Sequence, residues 1–198
     1  MNLEKTVKNL RLRGFEVSYF DNRDDAKNYL LGKIKDATVG IGGMMTCEEI
    51  GLFDALVENG NTVYWHWKQA GWETLENENA SDVFISSANA IAETGEIVNI
   101  DGRGNRLAGL AFGKKRVFIV AGTNKIAEDL TAAIERARNV AAVKNAARFK
   151  KDTPCQKDGK CHDCRVADRI CREMLITMGV PMDMESIEVV LIGEELGY

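Results

Sequence analysis

The chain has 198 residues, 45% of them hydrophobic and 28% charged, with a net charge of −4. That length suits one domain to about one and a half, and the low proline count excludes a fibrous or disordered chain. The longest uncharged run, Ala37 to Cys47, has 11 residues, well short of the roughly 18 a membrane span needs.

No basic-then-apolar leader opens the sequence, so the expectation is a soluble, cytoplasmic protein without a membrane partner. Charge is unevenly spread: between Arg103 and Lys151 there are 12 Lys/Arg against 3 Asp/Glu. Such a stretch is either a solvated helix face or an attractor for an anionic ligand or a charged partner. Without interleaved aromatics it does not suggest nucleic acid.

In chain order, residues 2–13 read as an amphipathic helix with Leu3, Val7 and Leu10 on one face. A strand from Phe15 to Phe20 follows, and Asp21-Asn22 stop it and cap a helix to about Lys35. The strand Ala37 to Ile41 runs into Gly42-Gly43. A helix from Thr46 to about Glu58 ends at Asn59-Gly60. Thr62 to Trp67 reads as strand, the next segment to about Leu75 as a weak helix, and Val83 to Ser87 as strand.

Glu96 to Ile100 and Arg106 to Phe112 flank the connection "DGRGN", which predicts a β-hairpin. Val117 to Ala121 is a buried strand, and a long helix is expected from about Asn124 to Arg138. An Ala/Lys-rich connection then leads to a cysteine segment that opens a helix reaching Met178. Ile187 to Ile192 forms the last strand. Strands alternating with helices predict an α/β fold. Its sheet is mainly parallel and doubly wound, with an added hairpin. Residues 1–198 read as one domain, and the cysteine-bearing excursion, 141–178, lies within it before the last strand.

Three segments carry chemistry. In "VGIGGMMT", Gly42 and Gly43 permit close backbone approach, and Thr46 with Glu49 has the spacing of a capping box. Loop amides at a strand's carboxyl end can hold a phosphate or carboxylate. A self-satisfied tight turn is the plainer alternative. In "SANAIAETGEIVNIDGRGN", Glu93 is a candidate base or nucleophile whose burial would raise its pKa. Asn89, Thr94, Gly95 and Asp101 are candidate substrate-binding positions, although Asp101 at a hairpin tip is also favoured locally. His66, within "YWHW", reads as structural, and Cys47 as a small core residue.

The strongest signal is Cys155, Cys161, Cys164 and Cys171. Cys161 and Cys164 have chelating Cys-x2-Cys spacing, and a helix would place Cys164 and Cys171 on one face. Four thiolates suit a [4Fe–4S] cluster or tetrahedral zinc; redox disulfides and free thiols are the alternatives.

Taken together, "VGIGGMMT", "SANAIAETGEIVNIDGRGNR", "VFIVAGTNKIAEDLTAAIERARNVAAVKNAAR", "TPCQKDGKCHDCRVADRIC" and "VVLIGEELGY" resemble the LUD-domain family of lactate utilization proteins over nearly the whole chain. The resemblance implies a fold akin to the sugar-phosphate isomerase and CoA-transferase superfamily. There a glycine loop and a carboxylate from another strand end flank the ligand, which by motif would be Gly42, Gly43 and Thr46 with Glu93. It also implies conversion of L-lactate to pyruvate alongside iron–sulfur partner proteins; the glycine loop and the basic stretch point to a small anionic metabolite as ligand, and a homodimer is among the candidate assemblies. The cysteine segment departs from plain LUD subunits and looks like a variant found in small anaerobe-type members. A transferase or isomerase using Glu93 with structural zinc, and a non-catalytic binding module, are the competing functions.

Overall fold

Two long, largely apolar runs dictate the centre of the molecule. In the computed structural model, which describes residues 1–198, they are β7 (Arg116–Gly122) and β10 (Ser186–Ile192). They lie side by side in a six-stranded sheet with β1 (Glu16–Phe20), β2 (Thr38–Ile41), β3 (Thr62–Tyr64) and β4 (Val83–Ser86), in the order β1-β10-β7-β4-β2-β3. Every pairing is parallel. Strands covered on both faces read as continuous hydrophobic runs.

Side chains alternate across this sheet between two cores. Val190 and Ile192 of β10, with Phe118 and Val120 of β7, enter one cluster. Ile187, Val189 and Leu191, with Val117, Ile119 and Ala121, enter the other. The first is roofed by α2 (Arg23–Lys33), α3 (Met45–Ile50) and α4 (Leu52–Glu58), through residues such as Leu30, Cys47 and Leu56. The second is roofed by α1 (Leu3–Leu12) and α6 (Asn105–Ala111), through Leu10 and Leu110. Helices thus cover both faces. Between them, α5 (Trp72–Ala80) packs beside β2.

Gly40 marks a close approach there, since a Cβ would stand 2.2 Å from the Glu78 carbonyl oxygen. Backbone cannot yield as a side-chain tip can. Gly40→Ala is expected to cost at least about 3 kcal/mol in urea unfolding; a loss below about 1 kcal/mol would mean that α5 shifts freely.

A second, mixed sheet carries β8 (Ile126–Ala127), β5 (Ala90–Ala92), β6 (Ile97–Asp101) and β9 (Glu173–Thr177), in that order. Here the structure corrects several expectations. The hairpin pairs β5 with β6 around Glu93 to Glu96, one element earlier than "DGRGN". The segment expected as its second strand is helix α6, because Leu107 and Leu110, three apart, bury one face.

The helix expected from Asn124 starts instead as α7 (Leu130–Arg136), capped by Asp129, whose side chain accepts from the Ala132 amide. It continues through a π-helical turn, Ala137–Ala141, into α8 (Ala142–Arg148). The supposed Ala/Lys connection is therefore mostly helix. Its Ala141, Ala142 and Ala146 continue a packing stripe begun by Ala133 and Ala137 in the preceding helical segment, and all five are buried.

After a single turn, α9 (Cys155–Asp158), the chain is irregular to Arg172 and then forms β9, antiparallel to β6. No helix runs to Met178, so Cys164 and Cys171 do not share a helical face. Thr62–Trp67 also shortens: Trp65 to Trp67 leave the sheet, with the Trp65 amide donating to Gln69 Oε1. No helix is long and apolar enough to cross a membrane.

Candidate functional site

The carboxyl ends of β2, β4 and β7, adjacent in the sheet, lead into residues 42–44, 87–89 and 123–125. Above them opens a cleft of about 620 Å³, at the position where open parallel sheets bind ligands. Seven of its lining residues are basic: Arg103, Arg106, Lys125, Arg148, Lys151, Arg169 and Arg172. Asp101 is the single carboxylate among them. Five of the seven come from the basic stretch noted in the sequence. That stretch is a wall of the cleft, not merely a solvated helix face.

Arg106 ties the parts together. Its Nη1 donates to the Gly43 carbonyl at 3.2 Å, and its Nη2 donates to Asn89 Oδ1 at 3.2 Å and to the Ile100 carbonyl. Asp101 Oδ2 is 3.6 Å from its Nε. Asn89 Oδ1 also accepts from the Ile100 amide at 2.7 Å, and the Asn89 carbonyl accepts from Arg136. One guanidinium thus joins the glycine loop, the segment after β4 and the end of β6.

Lys125 is 3% exposed. Its Nζ donates to Ser87 Oγ at 2.8 Å and to Thr46 Oγ1 at 3.2 Å. Burial, then the charges of Arg136 and Arg106, draw its pKa down to about 7. Arg148 stacks on two rings, 4.3 Å from the centre of Trp67 and 4.0 Å from that of Phe149. At the rim, His66 Nδ1 lies 2.6 Å from Glu78 Oε1. Glu78 is fully buried, and its other oxygen accepts from Asn105. A carboxylate holding one imidazole nitrogen fixes the ring's orientation, and His66 lines the cleft.

The positions singled out in the sequence divide into two groups. Gly43, Asn89 and Asp101 line the cleft together with Cys171. Gly42 lies just behind, its amide donating to the Ile85 carbonyl at 2.9 Å, where a Cβ would collide with Arg106. Thr46 is buried beneath, accepting from Lys125. There is no capping box: α3 starts at Met45 without a side-chain cap, and Glu49 instead accepts from the Gly197 amide. Asp101 is not at a hairpin tip but closes β6, accepting from the Gly102 and Arg103 amides.

Glu93, Thr94 and Gly95 lie outside the cleft, in the β5–β6 turn against α1. Glu93 Oε1 accepts from the Asn2 amide at 2.6 Å and Oε2 from Lys5 Nζ at 3.2 Å. The Thr94 carbonyl accepts from Arg13, and Gly95 packs on the Asn9 backbone. The bond from the Asn2 amide, followed by that from Lys5, holds the Glu93 carboxyl below its ordinary pKa. The expected upward shift is reversed because stabilising donors outweigh burial.

The four cysteines meet without a helix. All of them line one small cavity of about 30 Å³, with Arg138 and Arg169 beside them. Arg169 donates to the carbonyls of Cys171 and Cys164, at 2.6 and 2.7 Å, and the Cys161 amide donates to Asn139 Oδ1 at 2.9 Å. Burial, then the neighbouring Cys161 thiol, pushes the Cys171 thiol up to about 11. No three of the sulfurs converge on one ion in this arrangement. All-thiol donors with flanking guanidiniums nevertheless suit a soft cation or an iron–sulfur cluster. Cys47 sits apart, fully buried in the main core.

Arg106, Lys125 and Arg148 were not singled out in the sequence, nor was the His66–Glu78 pair, since His66 reads there as structural. The local signal for three of them was the basic stretch, and for the fourth only a histidine beside aromatics.

The LUD domain family model matches residues 3–192. The chain belongs to the LUD-domain family. Among solved structures, the LUD fold here is similar to a DUF162 family protein from Deinococcus radiodurans, known from its crystal structure. The TM-score is 0.57 at 12% sequence identity, with 96% of each chain covered. No match was found among proteins of curated function.

Proposed function

We propose that this LUD domain binds a small anionic metabolite in its cleft and takes part in redox metabolism of lactate or a similar acid. The observation that carries the reading is the cleft's charge: seven basic side chains face one carboxylate, and that carboxylate already has Arg106 as a partner. Arg169 and Lys151 pair with Asp163 and Asp168, which leaves Arg103, Lys125, Arg148 and Arg172 without a carboxylate, and unpaired cations in a concave, partly desolvated site attract anions strongly. A volume of about 620 Å³ leaves room beside a three-carbon acid for a larger substituent.

In the same reading, Cys155, Cys161, Cys164 and Cys171 hold an iron–sulfur cluster or, alternatively, zinc. A cluster bound there would exchange single electrons with iron–sulfur partner proteins, whereas zinc would be structural. Cys171, Arg169 and Ile170 border both the cysteine cavity and the cleft, so the two sites share a wall. A transferase chemistry centred on Glu93 has less support, since Glu93 is committed to α1.

Titration with lactate, oxalate and inorganic phosphate, followed by amide NMR, tests the anion site. Shifts are expected at Gly43, Asn89, Gly102 and Lys125, and they should weaken with salt. Shifts confined to other surfaces would overturn the reading.

A further inference from the structure

Lys125 has an environment that anion binding alone does not require. Its amine is buried, lines the cleft, and has two hydroxyls as hydrogen-bond partners and no carboxylate. Surface cations that bind anions are normally solvated and fully charged. This one lies under the carboxyl ends of three adjacent strands and faces two further cations, Arg106 and Arg136, with Glu49 as the opposing carboxylate influence. Desolvation beside like charge is the arrangement that leaves a lysine amine unprotonated and nucleophilic. Arg148, stacked between Trp67 and Phe149, donates within the protein through Nε alone, to Asn145 Oδ1. Its two terminal nitrogens are left for a carboxylate.

We propose that Lys125 captures the carbonyl group of a 2-oxo carboxylate as an imine, with Arg148 taking the carboxylate. The inference rests on the reading of the cleft as an anion site and names a substrate class for it. The Nζ lone pair attacks the carbonyl carbon, and the C=O π electrons move to oxygen. A proton passes from nitrogen to that oxygen, for which the Ser87 and Thr46 hydroxyls on Nζ are placed as relays. Loss of water from the carbinolamine then forms the C=N bond. Amine and carbonyl give imine and water, with no change of oxidation state and no further reactant.

Borohydride trapping of the full-length protein tests this directly. Pyruvate is the probe, acetone (carbonyl without carboxylate) and acetate (carboxylate without carbonyl) are the controls, and peptide mass mapping is the readout. A single carboxyethyl adduct on Lys125 is expected, forming at least tenfold faster than on any other lysine. Trapping should increase from pH 6 to 8 as the amine loses its proton. Arg148→Gln should slow it about tenfold with pyruvate and leave any acetone adduct unchanged, and Lys125→Arg should abolish it.

Adducts scattered over surface lysines, with Lys125 unmodified, would overturn the imine while retained oxalate binding kept the anion reading. Equal trapping by acetone and pyruvate would overturn the carboxylate role of Arg148. Absence of both trapping and anion binding would remove both readings.

Discussion

Replacing Arg106 by methionine is expected to remove about 3–5 kcal/mol of stability in urea unfolding. The methionine fills much of the arginine's volume, so the loss is not chiefly a cavity effect. It comes from acceptors left behind: the carbonyls of Gly43 and Ile100, Asn89 Oδ1 and the Asp101 carboxylate. A buried acceptor that loses a partner carries desolvation cost, which falls mainly on the two carbonyls and the Asp101 charge, since Asn89 Oδ1 keeps the Ile100 amide and Asp101 Oδ1 keeps the Gly102 and Arg103 amides. Asp101 is the largest single contributor because it is charged. Asp101→Asn combined with Arg106→Met should therefore recover about 1–2 kcal/mol of the loss, a coupling that a double-mutant cycle isolates. Anion binding should fall at least tenfold in Arg106→Met, since the glycine loop and the segment after β4 lose their common anchor. A stability change below about 1 kcal/mol would show that the three segments hold together without the guanidinium.

Much of the main sheet was legible because its strands obey one simple rule. "RVFIVAG" is apolar at every central position and "SIEVVLI" at all but Glu188, which accepts from Ser18 and Tyr29, as strands buried on both faces mostly are. The second sheet was harder. "RLAGLAF" has apolar residues at 107, 108 and 110–112, which a short strand and a helix accommodate equally; burial of Leu107 and Leu110 decides for the helix. "EMLIT" joined an expected helix because nothing local reveals that the edge of β6 is waiting for it. The Ala/Lys-rich segment looked like a linker for want of large side chains. Alanine is the best helix former, and here small residues let α7 and α8 lie close to their neighbours.

The site was partly legible for a related reason. Gly43, Asn89 and Asp101 stand in recognisable loops and do line the cleft. Arg106 and Lys125 look ordinary in the sequence, and only the convergence of distant strands makes Lys125 a buried cation and Arg106 a largely enclosed one. His66 acquires its carboxylate from Glu78, 12 residues on and in another element. Glu93 illustrates the opposite error. Its turn is polar and its burial real, yet the amino-terminal helix consumes its hydrogen-bonding capacity.

Filling the cysteine site is expected to decide whether residues 150–172 are ordered. Between α9 and β9 the chain has no regular secondary structure, and its side chains are mostly exposed or half-buried. It is held by Arg169 and Arg172 donating to carbonyls of the segment itself and by a few ties to the rest of the molecule: the Cys161 amide on Asn139, Gln156 on the Val143 carbonyl, the Arg172 amide on the Asp101 carbonyl and the Arg138–Asp163 pair. Such bonds are worth about 1 kcal/mol each, against roughly 1–2 kcal/mol of backbone entropy per ordered residue. Four thiolates on one centre supply what packing does not, because binding energy here is folding energy. Trypsin offers a direct measure, since Lys157, Lys160 and Arg165 lie in this stretch. Protein reconstituted with iron and sulfide, or loaded with zinc, should resist cleavage at these sites at least tenfold longer than chelator-treated protein. At a metal concentration a thousandfold above Kd, the gain in stability should approach about 4 kcal/mol. Cys161→Ser and Cys171→Ser should each abolish that protection while leaving the parallel sheet's urea midpoint within about 10% of the chelated protein's value. Equal cleavage of loaded and chelated protein would leave the four cysteines as ordinary thiols.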